Sequence, residues 1–161
     1  MTVKLLHYLP AIRTLHDEQH LTKYHLLQAP FLMHQFGDLC MYYAPHNEYI
    51  NKEAVIVIVG ITPGWHQMKM AVEQVLKDLK NNIAINDMLK NAKHAASFSG
   101  SMRTNLIQML DECDLPNYLS IKSTGSLFSE NRHLLHTTSV IKYPVFYQNK
   151  NYTGHQPRID Q

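Results

Sequence analysis

Cysteine is nearly missing from this sequence: Cys40 and Cys113 are the whole complement, they lie far apart, and neither belongs to a CxxC pair. Two such residues supply too few thiolates to build a zinc site or a four-thiolate iron–sulfur cluster alone, and reduced, buried thiols are expected. Charge is sparse as well. Charged residues make up 17% of the chain and the formal net charge is +2 with histidines neutral. That balance excludes the strongly basic signature of a protein that coats nucleic acid, and it leaves no like-charged arm. Long apolar runs are missing too: none approaches the roughly 20 residues that span a bilayer. Met1–Pro10 offers Val3, Leu5 and Leu6 where a signal peptide needs an extended apolar stretch and a small-residue cleavage site. The expectation is a cytoplasmic protein without a membrane partner.

The composition that remains suits a folded domain. Hydrophobic residues are 45% of the 161, which argues against disorder, and this length lets one domain bury roughly two-thirds of its unfolded surface. A single domain over residues 1–161 is expected. From Ala11 to Gln28, apolar residues at Ile12, Leu15, Leu21, Tyr24 and Leu26 suggest a helix. Leu39 to Tyr43 is β-prone, and Pro45 to Asn51 supply turn residues. Ala54 to Val59 is an unbroken, mostly β-branched run, the pattern of a strand covered on both faces by helices. Met68, Val72, Val75, Leu76 and Leu79 then recur on one helix face. Leu106, Met109, Leu110 and Cys113 mark another helix, with Ser99 or Ser101 as N-cap and Pro116 past its end. Leu134 to Ile141 reads as a further strand, ended by Tyr143-Pro144. Alternating strands and helices predict an α/β fold with three αβα layers about a central, mainly parallel sheet.

Between the β-branched strand and the helix lies Gly60-Ile61-Thr62-Pro63-Gly64. Ligands of open α/β sheets bind beyond the carboxyl ends of the strands, which makes this bend the candidate site. Its two glycines permit close backbone approach and its proline fixes the path between them. It is not a phosphate-binding P-loop, since no GK[ST] follows.

Three segments together resemble the uracil-DNA glycosylase superfamily. VIVIVGITPG is similar to the strand and water-activating loop of that superfamily, nearest to the GINPG of its mismatch-specific branch. Ser97-Phe98-Ser99-Gly100-Ser101-Met102-Arg103 resembles the F-x-G stretch of the thermophile-type branch, whose aromatic ring stacks on the flipped base. His136 to Lys142 is similar to the strand segment TNVVK, whose asparagine reads the base edge. The resemblance runs from about Leu39 to Tyr152, with the segments in the family's order. It implies a hydrolase of DNA repair that excises a base by cleaving its N-glycosidic bond, without cofactor or metal. Its partner would be single-stranded or mismatched duplex DNA.

Carried onto this chain, the resemblance gives Thr62 and Ile61 as catalytic positions. Gly60, Pro63, Gly64, Phe98 and Ser139 become the base-binding positions, and Arg103 and Lys142 are candidates for phosphate contact. Departures from the pattern fall at the chemistry. Thr62 stands where the family places Asp or Asn, Ile61 where the thermophile-type branch has Glu, and Ser139 where the base-reading Asn belongs. A hydroxyl can hold a water but cannot take its proton as a carboxylate does, so slow catalysis or none is expected. The sequence ends at Gln161 before the family's histidine-proline-serine loop, and His155-Gln156-Pro157 lies too near the preceding strand to replace it. The expectation is therefore a domain lacking its C-terminal part, with an open sheet edge through which a dimer could form. A homologue or fragment that binds a nucleobase or nucleic acid without cleaving it is the alternative. Trp65 is open to two readings, lining the site or packing under the helix start. His16 with His20, and His133 with His136, have helical metal-ligand spacing but nothing placed to complete either pair.

Overall fold

A computed structural model describes residues 3–16, 18, 20–155 and 157; the sequence readings that touch Met1, Thr2, Asp17, Gln19, Gln156 and Gln161 lie outside them. Helix α1, Leu5–Arg13, buries Leu5, Tyr8, Leu9 and Ile12, which is the i, i+3, i+4, i+7 face of a helix. This corrects the helix expected over Ala11–Gln28. The stripe starts earlier than expected, and after Arg13 that span holds the single turn α2, Lys23–Leu26. Leu15 and Leu21 still reach the core, from non-helical backbone.

Strands β1, Leu32–Phe36, and β2, Leu39–Tyr42, are followed by β3, Ile56–Gly60, β4, Leu135–Ser139, β5, Val145–Tyr147, and β6, Lys150–Asn151. They form two sheets, a four-stranded antiparallel one in the order β1-β2-β5-β6 and a parallel pair, β3 with β4. The fold is mixed α/β, but the larger sheet is antiparallel, which corrects the expected mainly parallel sheet. Between β3 and β4 run α3, Trp65–Lys80, α4, Ile85–Ala96, α5, Ser101–Glu112, and the short α6, Leu115–Leu119. Among the described residues, no helix is long and apolar enough to cross a membrane.

Two cores result. The main one joins α1, α3 and α4 to the antiparallel sheet, and within it Met68, Val72, Val75 and Leu76 take the buried face of α3 that their spacing predicts. The lesser core sets Leu127, Phe128 and Leu135 against Ile56, Ile58, Leu106 and Ile107. It covers one face of the parallel pair. On the other face Val55, Val57 and Val59 are 62%, 56% and 56% exposed, so β3 is not sheathed on both sides as its β-branched run predicts. The run is uniform in composition, yet its pleat sends alternate residues to opposite faces and packing reaches one of them. α5 departs from expectation in a similar way. It buries no residue, Met109 is 62% exposed, and Cys113 at its C-cap is exposed rather than buried. Its N-cap is Gly100, at φ 84°, rather than either flanking serine, and Pro116 opens α6.

Candidate functional site

The parallel register sets Gly60 beside Ser139, so the bend after β3 and the carboxyl end of β4 emerge together. From Gly60 the chain turns to Gly64, which caps α3. There the Gly64 N–H donates to Gln67 Oε1 at 3.2 Å and the Trp65 N–H donates to Asn151 Oδ1 at 2.9 Å. A side chain at Gly64 would begin 3.2 Å from the Asn151 amide nitrogen, a contact tight enough that this amide would have to shift slightly. Thr62 Oγ1 donates to Tyr143 O at 3.0 Å and accepts from the Val145 N–H at 3.2 Å. The hydroxyl thus ties the bend to β5, and one lone pair remains to it.

Phe98 follows the end of α4 in the left-handed conformation, φ 48°. For an aromatic residue that conformation costs on the order of 1 kcal/mol, and such strain persists where surrounding structure enforces it. The enforcement is visible at Ser97, the residue before it. Ser97 Oγ donates to Lys93 O at 2.7 Å and shares a 2.7 Å hydrogen bond with Thr137 Oγ1 of β4. Arg103 donates to Ser97 O from Nε at 3.0 Å and from Nη2 at 2.6 Å, and Nη2 also reaches His94 O at 3.3 Å. Its guanidinium lies 5.0 Å from the Phe128 ring centroid. Arg103 thus clamps the carboxyl end of α4 through Nε and Nη2.

These pieces enclose one hollow of about 300 Å³, at the lower end of the roughly 300–1,000 Å³ typical of small-molecule sites. Gly60, Ile61, Thr62 and Gly64 line it from the bend, Phe98 from the end of α4 and Ser139 from β4. Pro63 is buried and not among its lining residues. Trp65 packs against the main core instead of lining the hollow, which decides between its two readings. Lys142 also stands outside, exposed, with its Nζ 5.6 Å from the Tyr143 ring centroid. Among the described residues that line the hollow there is no carboxylate. Among the described residues, too, no three His, Cys, Asp or Glu side chains gather to hold a metal ion.

His46 and Asn47 also line the hollow. They sit on a 3₁₀ turn, Pro45–Glu48, and the sequence marks that stretch only as turn-forming. His46 is 2% exposed, and neither ring nitrogen has a hydrogen-bond partner among the described residues. Burial, reinforced by the charge of Lys93, pushes its pKa down to about 3, so the imidazole is neutral near pH 7. Asn47 accepts from Lys93 Nζ at 2.6 Å and donates to Lys142 O at 2.9 Å, which fixes the orientation of its amide. Lys93 is itself buried, and burial, followed by the charge of Lys142, brings its pKa down to about 7.

Against known proteins, no family model matches this chain and no solved structure matches it. The chain is similar to the uncharacterized protein YoxB of Bacillus subtilis (strain 168), with 56% identity over 139 residues, 86% of this chain and 54% of that protein. The chain thus spans about half the length of the curated relative it matches.

Proposed function

We propose that the hollow receives a nucleobase turned out of DNA and that the protein is a base-excising hydrolase of the uracil-DNA glycosylase type. The observation that carries this reading is the convergence of the 60–64 bend, the Phe98 ring and the Ser139 hydroxyl on one cavity. Extruding a base costs a few kcal/mol, least at a mismatch or in single strands, and stacking on an aromatic ring returns about 1–3 kcal/mol per base. As the glycosidic bond breaks, negative charge gathers on the departing base, so preorganised donors there contribute most to the rate. In this reading the backbone N–H groups of Ile61 and Thr62 supply them, Phe98 stacks on the ring and Ser139 hydrogen-bonds its edge.

The test is incubation with uracil-containing oligonucleotides, single-stranded and mismatched, followed by alkali. Strand scission above a buffer control is expected; none after long incubation refutes the hydrolase.

One observation favours a second reading, binding without cleavage. The hollow has no carboxylate lining it among the described residues, and the Thr62 hydroxyl is engaged by Tyr143 and Val145. Loss of general-base assistance removes about 10² to 10⁴ in rate. This reading expects saturable binding of a uracil-containing oligonucleotide, weakened by Phe98→Ala, with no abasic product.

A further inference from the structure

We infer that His46 is a ligand-reading residue, which hydrogen-bonds from the floor of the hollow to the edge of the ring stacked on Phe98. This rests on the reading of the hollow as a nucleobase site and adds to it a residue that no motif in the sequence marks.

A buried histidine is ordinarily anchored by at least one ring nitrogen, because leaving a buried donor or acceptor unmade costs about 1–3 kcal/mol. His46 leaves both nitrogens unpartnered among the described residues while lining the cavity, next to an asparagine held rigid from two sides. Phe98 carries its backbone strain into the same cavity. Two unfavourable features that meet at one hollow are accounted for together if a ligand engages both: a ring stacks on Phe98 and its edge partners the imidazole.

The chemistry of the floor narrows the ligand class. Neutral imidazole offers one donor and one acceptor. Asn47 keeps one N–H beyond its bond to Lys142 O, and Lys93 directs its ammonium at Asn47 Oδ1. Those groups suit an uncharged heterocycle with hydrogen-bonding atoms on its rim. A free phosphate would instead call for unspent cationic donors such as a guanidinium, and no arginine is among the described residues that line the hollow.

The experiment follows the imidazole ¹⁵N resonances of the histidine-labelled protein, assigned through His46→Gln, during titration with uracil, thymine, cytosine, adenine and guanine, and separately with inorganic phosphate. At least one base is expected to move the His46 signals saturably, and phosphate is expected to leave them in place. His46→Phe should weaken that base by about ten-fold or more, while His46→Gln, which keeps hydrogen-bonding capacity, weakens it less. The resonance measurement needs no variant that must fold beyond the one used for assignment. If a base binds in a Phe98-dependent manner while the His46 signals stay fixed, the assignment to His46 is wrong and the nucleobase reading stands. If the signals respond but no alkali-labile site forms in uracil-containing DNA, His46 keeps its role and the hydrolase falls. If no base binds, both are overturned, as is the inference if phosphate alone moves the signals.

Discussion

Around the antiparallel sheet, α1, α3 and α4 bury Leu5, Ile12, Met68, Val72 and Val75 completely, whereas the parallel pair leaves Val55, Val57, Val59 and Val140 more than half exposed. The residue types are alike in the two regions; their surroundings are not. In the first, α1, α3 and α4 pack their apolar stripes against one side of the sheet. In the second, a small cluster under Ile56 and Ile58 holds one face of the pair and leaves the other open. The hollow lies where the two regions meet. Its floor, His46 and Asn47, is pinned through Lys93 to α4 on the sealed side, while Ser139 belongs to the open pair and Thr62 links the bend to β5. A site at such a seam gains precision from the rigid region and access from the other.

The contrast predicts unequal responses to substitution. Met68→Ala removes a fully buried side chain from the sealed core and should lower unfolding free energy by about 2–5 kcal/mol, measured by urea denaturation. A loss below about 1 kcal/mol would mean that this core is looser than the packing implies.

Acid acts on the sealed side next. The folded state holds the His46 pKa near 3, against 6.5 when unperturbed, so between those values the unfolded chain binds the extra proton. Stability must therefore fall as pH drops from about 6.5 toward about 3, by up to about 1.4 kcal/mol per pH unit for this group. His94, pushed to about 4 by burial and then by Arg132, Lys90 and Lys93, adds a slope of the same sign. Unfolding curves at pH 6.5 and 4.5 measure the sum, and His46→Gln should flatten it by nearly one proton; an unchanged slope would contradict a buried neutral imidazole.

At the seam, Thr62→Val deletes the hydroxyl that bridges Tyr143 and Val145. About 1–2 kcal/mol should be lost, since the Val145 N–H is left without its acceptor. The smallest effect belongs to the open face. Val57→Thr is expected to change stability by no more than about 0.5 kcal/mol, and a cost above about 1 kcal/mol would show that the face is covered in solution and break the comparison.

Local chemistry made several elements legible beforehand. The spacing of Met68, Val72, Val75 and Leu76 specifies α3, and the β-branched run specifies β3, because helix and strand periods act over a few residues. The bend was legible for a related reason: two glycines around a proline, directly after such a strand, leave the backbone few alternatives. The pattern misplaces α1 because three of its four buried positions lie before Pro10, in a stretch that reads as terminal. The antiparallel sheet joins residues near 40 to residues near 146, and no local signal announces a pairing across that separation.

What the sequence determined by itself was a set of elements and one unusual turn, since both follow from sterics and periodicity within a short window. Tertiary structure alone decided which face of β3 is covered and what Arg103 and Thr62 hold. It also decided that a histidine in a plain turn segment is buried at the floor of the hollow. Those outcomes depend on which distant side chains arrive at each position, because burial, pKa and hydrogen bonding are properties of an environment rather than of a residue.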